Sequence, residues 1–193
     1  MVEYINMEEQ NVVKNNTWEF VREVLKIVIV AAVIVIPIRY FLFQPFFVRG
    51  QSMDPSFENG DYLIIDEITY RFRGPERGEV IVFKYPEDPS NRFIKRVIGL
   101  PGETVEIKDG NITIYNESGT YLLDEKYLSS DLITSGDIEI TLEKNQYFVM
   151  GDNRPYSFDS RRFGPLSEEY IIGRVVLRAW PINSITTFQV PAY

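Results

Sequence analysis

TVEIKDGNITIY, residues 104–115, is the stretch that decides the fold class of this chain. Before Asp109-Gly110, apolar residues alternate with charged or polar ones. After this pair, two isoleucines alternate with polar residues. A period of two on both sides of an Asp-Gly pair is typical of a β-hairpin with one buried face. The stretch therefore predicts antiparallel strands in this part of the chain.

Short runs rich in β-branched and aromatic residues lie on both sides of this hairpin. They are residues 62–65, 79–85, 92–98, 138–142, 146–150 and 171–180. After residue 43 no helical period of useful length occurs, and residues 116–136 are polar and irregular. This pattern favours a mainly β fold. We expect a body of antiparallel coiled sheets or a β-barrel over residues 44–193, with an insertion at about 116–137.

The composition excludes several classes of protein. Twenty Lys and Arg stand against 28 Asp and Glu, and the resulting formal charge of -8 argues against nucleic acid as a partner. The chain has neither cysteine nor histidine, which excludes disulfides, Ser-His triads and the usual zinc ligands. We expect no metal and no cofactor. Any hydrolytic site must use a base other than imidazole.

The N-terminal part contains the one long apolar stretch. Residues 27–38 (IVIVAAVIVIPI) carry no polar side chain, and the apolar character extends beyond Lys26 and Arg39 at the two ends. The whole stretch is long enough to cross a hydrocarbon layer of ~30 Å while both charges snorkel to the surface. A buried core helix would carry a polar stripe, and a cleavable signal sequence would end in small residues rather than in the bulky residues 39–47.

These comparisons favour an uncleaved transmembrane helix over residues 21–43, bent or ended near Pro37 and preceded by a polar tail over residues 1–20. Basic residues precede and follow the stretch in nearly equal number, which gives a weak preference for an N-terminus on the inner side of the membrane. We therefore expect a cytoplasmic N-terminus, with the β-rich body on the other side of the lipid bilayer.

Residues 50–55 (GQSMDP) form a short polar turn a few residues beyond the predicted anchor. Ser52 lies in this turn, and its hydroxyl is a candidate nucleophile near the lipid surface. A serine hydroxyl is a poor nucleophile until a neighbouring base takes its proton. With no histidine in the chain, the candidate base is a lysine whose pKa is lowered by burial.

The run RFIKRVI, residues 92–98, offers such a lysine. A period of two places Lys95 on one face of the strand and Arg96 on the other, each between two apolar neighbours. One of these charges must therefore point into apolar company, and only the lysine can act as a base, because arginine stays protonated. A solvated lysine on an edge strand is equally compatible with the spacing. Lys84, in VIVFKYP, is a weaker candidate near the end of its run.

A second polar cluster, residues 151–164, follows the apolar run of residues 147–150. Its Asp, Asn, Arg and Ser side chains can form a self-contained hydrogen-bond network, as in many surface loops. In the functional alternative, a hydroxyl from Ser157 or Ser160 orients a buried lysine while Asp-Arg pairs hold the loop rigid. The residues alone leave both interpretations open.

Together the three clusters resemble the type I signal peptidases, which are membrane-anchored Ser-Lys proteases. The matching segments are residues 52–56 (SMDPS), 93–103 (FIKRVIGLPGE) and 151–161 (GDNRPYSFDSR), in the order and at the spacing of that family. The resemblance runs from the predicted anchor to about Trp180. Three boxes in order behind one anchor are a far more specific signal than a lone Ser-Met-x-Pro.

The resemblance implies a role for each matching residue. Ser52 is implied to be the nucleophile and Lys95 the general base. Ser157 is implied to hydrogen-bond the lysine, and Asp159 and Arg161 to support the site.

An oxyanion hole and a substrate pocket are also implied. The backbone N–H of Ser52 would donate to the oxyanion. Some family members carry a serine hydroxyl two residues before the nucleophile, but this chain has Gly50 there, so the second donor stays open. Met53 is implied to line a small apolar pocket.

The implied substrate is an exported preprotein, cut on the outer side of the cell membrane after a signal peptide. Small residues would occupy the first and third positions before the scissile bond, and the extended peptide would pair with a strand edge. A self-cleaving repressor uses similar chemistry but needs a DNA-binding helical domain, which this N-terminus lacks. The alternative from a different class is a non-catalytic, membrane-tethered adaptor. The distance between Ser52 and Lys95 discriminates between enzyme and adaptor.

Overall fold

A computed structural model describes residues 18–35, 43–129, 132–188 and 190–191. The chain divides into two compact units, Met1–Phe41 and Leu42–Tyr193. In the first unit, residues 18–35 form helix α1. Within the described ranges, no helix combines the length and the apolar character that a membrane crossing requires. Most of the predicted tail and the end of the predicted anchor, including Pro37, lie outside the described residues.

The second unit consists mainly of short strands. They are β1 Phe43–Phe47, β2 Tyr62–Asp66, β3 Val80–Tyr85, β4 Asp88–Gly99, β5 Thr104–Lys108, β6 Asn111–Asn116, β7 Gly119–Leu122, β8 Ile138–Thr141, β9 Gln146–Met150, β10 Leu166–Ser167, β11 Ile171–Trp180 and β12 Thr186–Thr187. One short helix, α2 at Ser160–Phe163, and single 3-10 turns at Thr69–Arg71, Arg154–Tyr156, Glu168–Tyr170 and Ile182–Ser184 lie between them.

The strands form two antiparallel sheets. The larger sheet has the order β1-β2-β11-β3-β4-β9-β10, with β12 paired to β11, and the smaller one has the order β7-β6-β5-β8. The prediction of a mainly β, antiparallel body is confirmed. A closed barrel, one of the two predicted forms, is wrong for the described residues, because no pairing joins β1 to β10 and the larger sheet stays open.

The hairpin predicted from residues 104–115 is confirmed as β5 and β6. Asp109 and Gly110 both have positive φ, 50° and 81°, as the tight turn between two twisted strands requires. The four alternating apolar residues are buried in one cluster of the small sheet: Val105, Ile107, Ile112 and Ile114. The buried face predicted from the period of two is therefore the face that packs.

Two segments differ from the sequence expectations. Residues 119–122, within the stretch expected to be irregular, form strand β7 on the edge of the small sheet. All four are exposed, so no apolar alternation marks them in the sequence. Phe43, expected to end the anchor, begins β1 instead. Pro45 is tolerated there because β1 is an edge strand that pairs with β2 alone.

Strand β4 is covered unevenly along its length. It pairs with β3 from Asp88 to Arg96, but with β9 only at Arg96, Val97 and Gly99. The half that precedes Arg96 therefore has one strand neighbour among the described residues and one open edge. This open edge is where the candidate site lies.

Candidate active site

Ser52 lies in a turn that is anchored to the apolar core. The Phe57 N–H donates to the Met53 carbonyl at 2.9 Å, and both side chains are buried in one apolar cluster. Before the serine, Gly50 has a φ of +87°, a conformation that glycine adopts without strain. The Gly50 N–H donates to Asn59 Oδ1 at 2.9 Å. The backbone of the serine is thus fixed from both sides.

Lys95 lies on β4, opposite Ile81 of β3. The residue is 4% exposed. Its Nζ donates to Ser52 Oγ at 2.7 Å and to the Ile94 carbonyl at 2.8 Å, and it lies 5.6 Å from the centre of the Phe93 ring. The structure therefore brings the predicted nucleophile and base, 43 residues apart in the chain, within hydrogen-bond distance.

Burial lowers the pKa of Lys95 from 10.5 to about 8, although the negative charges of Asp159 and Asp152 oppose this shift. Removal of an amine from water disfavours its charged form. With a pKa of about 8, about a tenth of the lysine is neutral at pH 7. A neutral amine at this distance can accept the proton of the serine hydroxyl.

The Asp159 carboxylate, which is fully buried, ties the loop of residues 151–161 together. It accepts hydrogen bonds from Arg161 Nε and Nη2, both at 2.9 Å, and from the Gly151 N–H at 3.1 Å. Burial alone would raise the pKa of Asp159. The hydrogen bond and charge of Arg161, helped by the Ser157 hydroxyl and the Gly151 N–H, hold that pKa below its ordinary value. Asp159 and Arg161 thus form a bidentate ion pair beneath the site.

The two serines of this loop have different surroundings. Ser160 Oγ accepts a hydrogen bond from the Val149 N–H at 3.0 Å and fastens the loop to β9. Ser157 is buried, and its hydroxyl lies close enough to Asp159 to help lower that pKa without full hydrogen-bond geometry to any described residue. The bond from Ser157 to Lys95 that the resemblance implies is not among the hydrogen bonds of the described residues. Its role stays a prediction.

Two further residues of the loop hold the site, although the sequence patterns assign them no role. The Asn153 N–H donates to the Ser52 carbonyl at 3.1 Å, and its side-chain amide donates to the Gln51 carbonyl at 2.8 Å. Asp152 accepts two hydrogen bonds from Arg96, at 2.9 and 2.6 Å. The only signal in the sequence is the density of polar residues directly after an apolar run.

An open cleft of about 690 Å³ leads to Ser52 and Lys95. Pro45, Phe46 and Phe47 of β1 form one wall, and residues 90–95 of β4 form the other. β1 is an edge strand, and this part of β4 has an open edge. The cleft therefore lies between two strand segments that can each offer hydrogen bonds to an extended peptide.

Met53 and Gly50 lie close to the nucleophile in sequence but differ in their exposure. Met53, expected to line a substrate pocket, is 1% exposed, belongs to the core beneath the turn and is not one of the residues that line the cleft. Its contact with a substrate stays a prediction. Gly50 lines the cleft, but Asn59 occupies its N–H. The Ser52 N–H donates to no described residue and stays the predicted oxyanion donor.

The geometry also bears on the alternatives. Lys84 is exposed, and Lys95 is buried rather than solvated, as is its neighbour Arg96. A non-catalytic adaptor requires Ser52 and Lys95 to lie apart, and their 2.7 Å contact contradicts that requirement. Within the described part of the chain, no three acidic side chains come together as a metal site would need.

Comparison with known proteins adds an independent finding. Residues 21–180 match the family model described as "Signal peptidase, peptidase S26". A probable signal peptidase I-2 of Synechocystis sp. is 37% identical over 177 residues, which cover 88% of this chain and 77% of that protein. Signal peptidase I of Leptolyngbya laminosa is 38% identical over 173 residues, with 84% and 81% covered.

Two further proteins extend this comparison. Signal peptidase I V of Bacillus subtilis is 36% identical over 154 residues, with 75% of this chain and 90% of that protein covered. A crystal structure of a signal peptidase I from Enterococcus faecalis is 35% identical and covers 53% of this chain and 97% of its own, with a TM-score of 0.45.

Proposed function

Because the chain belongs to the signal peptidases of the peptidase S26 family, we propose that it removes signal peptides from exported preproteins with a Ser52-Lys95 dyad. One observation carries the proposal. Lys95 Nζ lies 2.7 Å from Ser52 Oγ, in a place where burial lowers the pKa of the lysine to about 8. A nucleophile and a base that can be neutral at ordinary pH thus stand beside an open cleft.

In the acylation half-reaction, the neutral Lys95 amine takes the proton of the Ser52 hydroxyl while Oγ attacks the scissile carbonyl carbon. The negative charge that develops on the carbonyl oxygen is stabilised by the backbone N–H of Ser52. Lys95 then gives its proton to the leaving amine as the C–N bond breaks. The signal peptide stays on Ser52 as an ester, and the mature protein leaves with a new N-terminus.

In deacylation, the same amine takes a proton from a water molecule that attacks the ester carbonyl. The proton passes to Ser52 Oγ as the ester bond breaks, which restores the hydroxyl and the free amine. One base serves both halves, so the scheme needs no base other than Lys95. Asp159 and Arg161 support it by holding the loop that packs against the serine, and Ser157 is the proposed orienting hydroxyl.

We further propose that residues 21–41, the part of the predicted anchor that belongs to the first unit, anchor the protein in the cell membrane, with a cytoplasmic N-terminus and the catalytic unit on the outer side. The apolar run of residues 27–38 supports this arrangement. So does Phe47, an aromatic residue that is 59% exposed at the lip of the cleft, since aromatic side chains favour the membrane interface. A cleft held at that interface would lie beside a signal peptide that is still in the membrane.

A cleavage assay tests the dyad. The purified full-length protein is incubated in detergent with a preprotein, and the mature product is quantified. Ser52→Ala and Lys95→Ala should each lower kcat by about a thousandfold or more, with an unchanged far-UV circular dichroism spectrum. Lys95→Arg should be equally inactive, because arginine keeps its proton.

Lys84→Ala is the matched control, because it removes an exposed lysine from the neighbouring strand β3. It should cleave like the wild type. Full activity in the folded Ser52→Ala or Lys95→Ala protein would overturn the dyad.

A further inference from the structure

The segment after β7, residues 123–129 and 132–136, contains neither strand nor helix in its described part, yet it contacts the loop that carries the site. We infer that this segment, here named the brace, positions the nucleophile, and that Glu125 is its positioning residue. The inference rests on the proposed role of Ser52 and adds to it a function for the insertion.

Arg154 is the main contact between the brace and the loop. The arginine is 1% exposed. Its Nη1 donates to Glu125 Oε2 at 2.6 Å and to Thr134 Oγ1 at 2.5 Å, and its Nη2 donates to Glu125 Oε1. Burial would lower the pKa of Arg154, but the hydrogen bond and the charge of Glu125 raise it. A bidentate pair of this kind fixes orientation as well as distance.

Two more contacts join the brace to charged groups around the site. Arg161 donates from Nη1 to the Ser135 carbonyl at 3.3 Å and from Nη2 to the Arg154 carbonyl at 2.6 Å. The Tyr127 ring lies 4.0 Å from the guanidinium carbon of Arg96, close enough for a cation–π contact. The brace therefore touches both arginines that pair with buried carboxylates of the loop.

The connection from Arg154 to the nucleophile passes through its neighbour. Arg154 Nε donates to the Gly151 carbonyl at 3.1 Å. The preceding residue, Asn153, donates from its backbone to the Ser52 carbonyl at 3.1 Å and from its side chain to the carbonyl one residue earlier at 2.8 Å. A displaced Arg154 would shift Asn153 and, with it, the turn that presents the serine. Glu125 thus acts on Ser52 through two intermediate residues, Arg154 and Asn153.

The brace is held by polar contacts more than by apolar packing. Of its described residues, only Leu123 and Thr134 are buried. Loss of one polar contact should therefore loosen the orientation of the loop without dismantling the core. A positioning role predicts a slower chemical step, whereas a role in stability alone predicts a lower melting temperature with normal turnover by the molecules that remain folded.

The test is Glu125→Gln in the full-length protein, which keeps the size of the side chain but removes its charge. With a signal-peptide substrate, kcat per folded molecule should fall by about tenfold or more, since small displacements near reacting atoms have effects of this order. KM should stay within about twofold, because no residue of the brace lines the cleft. Asp124→Asn is the matched control. It alters an exposed neighbouring acid that pairs with Lys126 and should leave kcat unchanged.

A double-variant cycle with Asn153→Ala separates positioning from general loosening. Asn153→Ala removes the side-chain bond to the Gln51 carbonyl but keeps the backbone bond to Ser52. If Glu125 acts through Asn153, the effects of the two variants on kcat should therefore combine to less than their product. Independent effects would instead multiply. Multiplied effects, an unchanged kcat in Glu125→Gln, or a change in KM alone would each overturn the inference.

A milder variant decides the question if Glu125→Gln does not fold. Thr134→Val removes one hydrogen-bond acceptor of Arg154 with almost no change in size, and an unchanged kcat there would also overturn the role of the brace. The wild-type protein distinguishes the two proposals. Failure of the wild type to cleave a preprotein refutes the proposed function, whereas an active wild type with an insensitive Glu125 refutes the brace alone.

Discussion

Lys95 and Arg96 are adjacent residues of one strand, and both are buried. Arg96 keeps its charge, which Asp152 neutralises across a 2.6 Å contact. Lys95 has no carboxylate within hydrogen-bond distance among the described residues, and burial lowers its pKa instead. A buried ionisable group avoids the cost of an isolated charge in one of these two ways: it pairs with an opposite charge, or it becomes neutral. Only the second of them leaves a base.

The pH dependence of cleavage should report the titration of Lys95. The neutral amine is the active form, so kcat/KM should rise with pH and level off above a pKa of about 8. At pH 7 the rate should be about a tenth of the plateau rate. Initial rates with a signal-peptide substrate from about pH 6 to about pH 10 check this. A profile that is flat, or that falls as the pH passes through 8, would contradict the assignment of Lys95.

The same lysine should destabilise the folded protein at neutral pH. Its pKa is about 8 in the folded state against an ordinary 10.5, so the unfolded chain binds the proton more tightly and stability rises between these two pH values. Below the lower value the full cost applies, about 3 kcal/mol at most. Lys95→Met should therefore raise the melting temperature at pH 7, and the gain should shrink near pH 10. Calorimetry at both pH values measures it, and an equal gain at both would count against a charge effect.

At the scale of elements, the junction of β9 with the loop of residues 151–161 is the tightest place in the site. A Cβ on Gly151 would lie 2.3 Å from the Ser52 carbonyl oxygen and 2.3 Å from Ser157 Oγ. The first of these atoms belongs to the backbone of Ser52, which cannot rotate away as a side chain can. The loop and the serine turn thus pack backbone against backbone, and a glycine is required between them.

Gly151→Ala should therefore impair catalysis more than folding. We expect kcat to fall about a hundredfold as the serine turn shifts, and the free energy of unfolding to fall by about 1–3 kcal/mol. Cleavage assays and urea denaturation measure the two effects. Gly74→Ala is the control, because the added Cβ would meet only the Tyr147 hydroxyl, at 2.8 Å, the far end of a side chain. Normal cleavage by Gly151→Ala would show that the junction has room to adjust.

At the scale of the whole molecule, local patterns predict most of the strands. β9 and β11 have the predicted bounds, and the hairpin of β5 and β6 follows from an Asp-Gly turn between alternating residues. Strand β7 escapes prediction because it is exposed on both faces. Local sequence patterns also do not show whether the large sheet closes into a barrel, since closure depends on the pairing of strands that lie far apart in the chain.

The candidate site, like the fold, can be predicted from the sequence only in those features that depend on neighbouring residues. The absence of histidine and the apolar neighbours of Lys95 make this residue a candidate base, and the resemblance to a known family assigns it that role. The serine turn is visible as a motif. The ion pairs that hold the surrounding loop and strand in place cannot be recognised in the sequence. Glu125 and Arg154 lie 29 residues apart, and Arg96 and Asp152 lie 56 apart. Ion pairs across such separations leave no period in the sequence, so only the folded chain reveals them.

The division into two compact units allows the proposed anchor to be tested. A fragment that begins at Leu42, the first residue of the second unit, should cleave a water-soluble peptide with the kcat of the full chain. It should fail to float with lipid vesicles in a density gradient, whereas the full chain should float. Equal flotation of both proteins would place the membrane contact in the second unit.

The proposed catalytic pair consists of a hydroxyl and an amine, and the chain contains neither cysteine nor histidine. Peroxides attack thiolates most readily, and copper and zinc ions prefer thiolate and imidazole ligands. Ser52 and Lys95 offer neither a thiolate to peroxides nor a thiolate or imidazole to these metal ions. A hydrolase built in this way can work in oxidising or metal-rich surroundings that would inactivate one dependent on sulfur or imidazole.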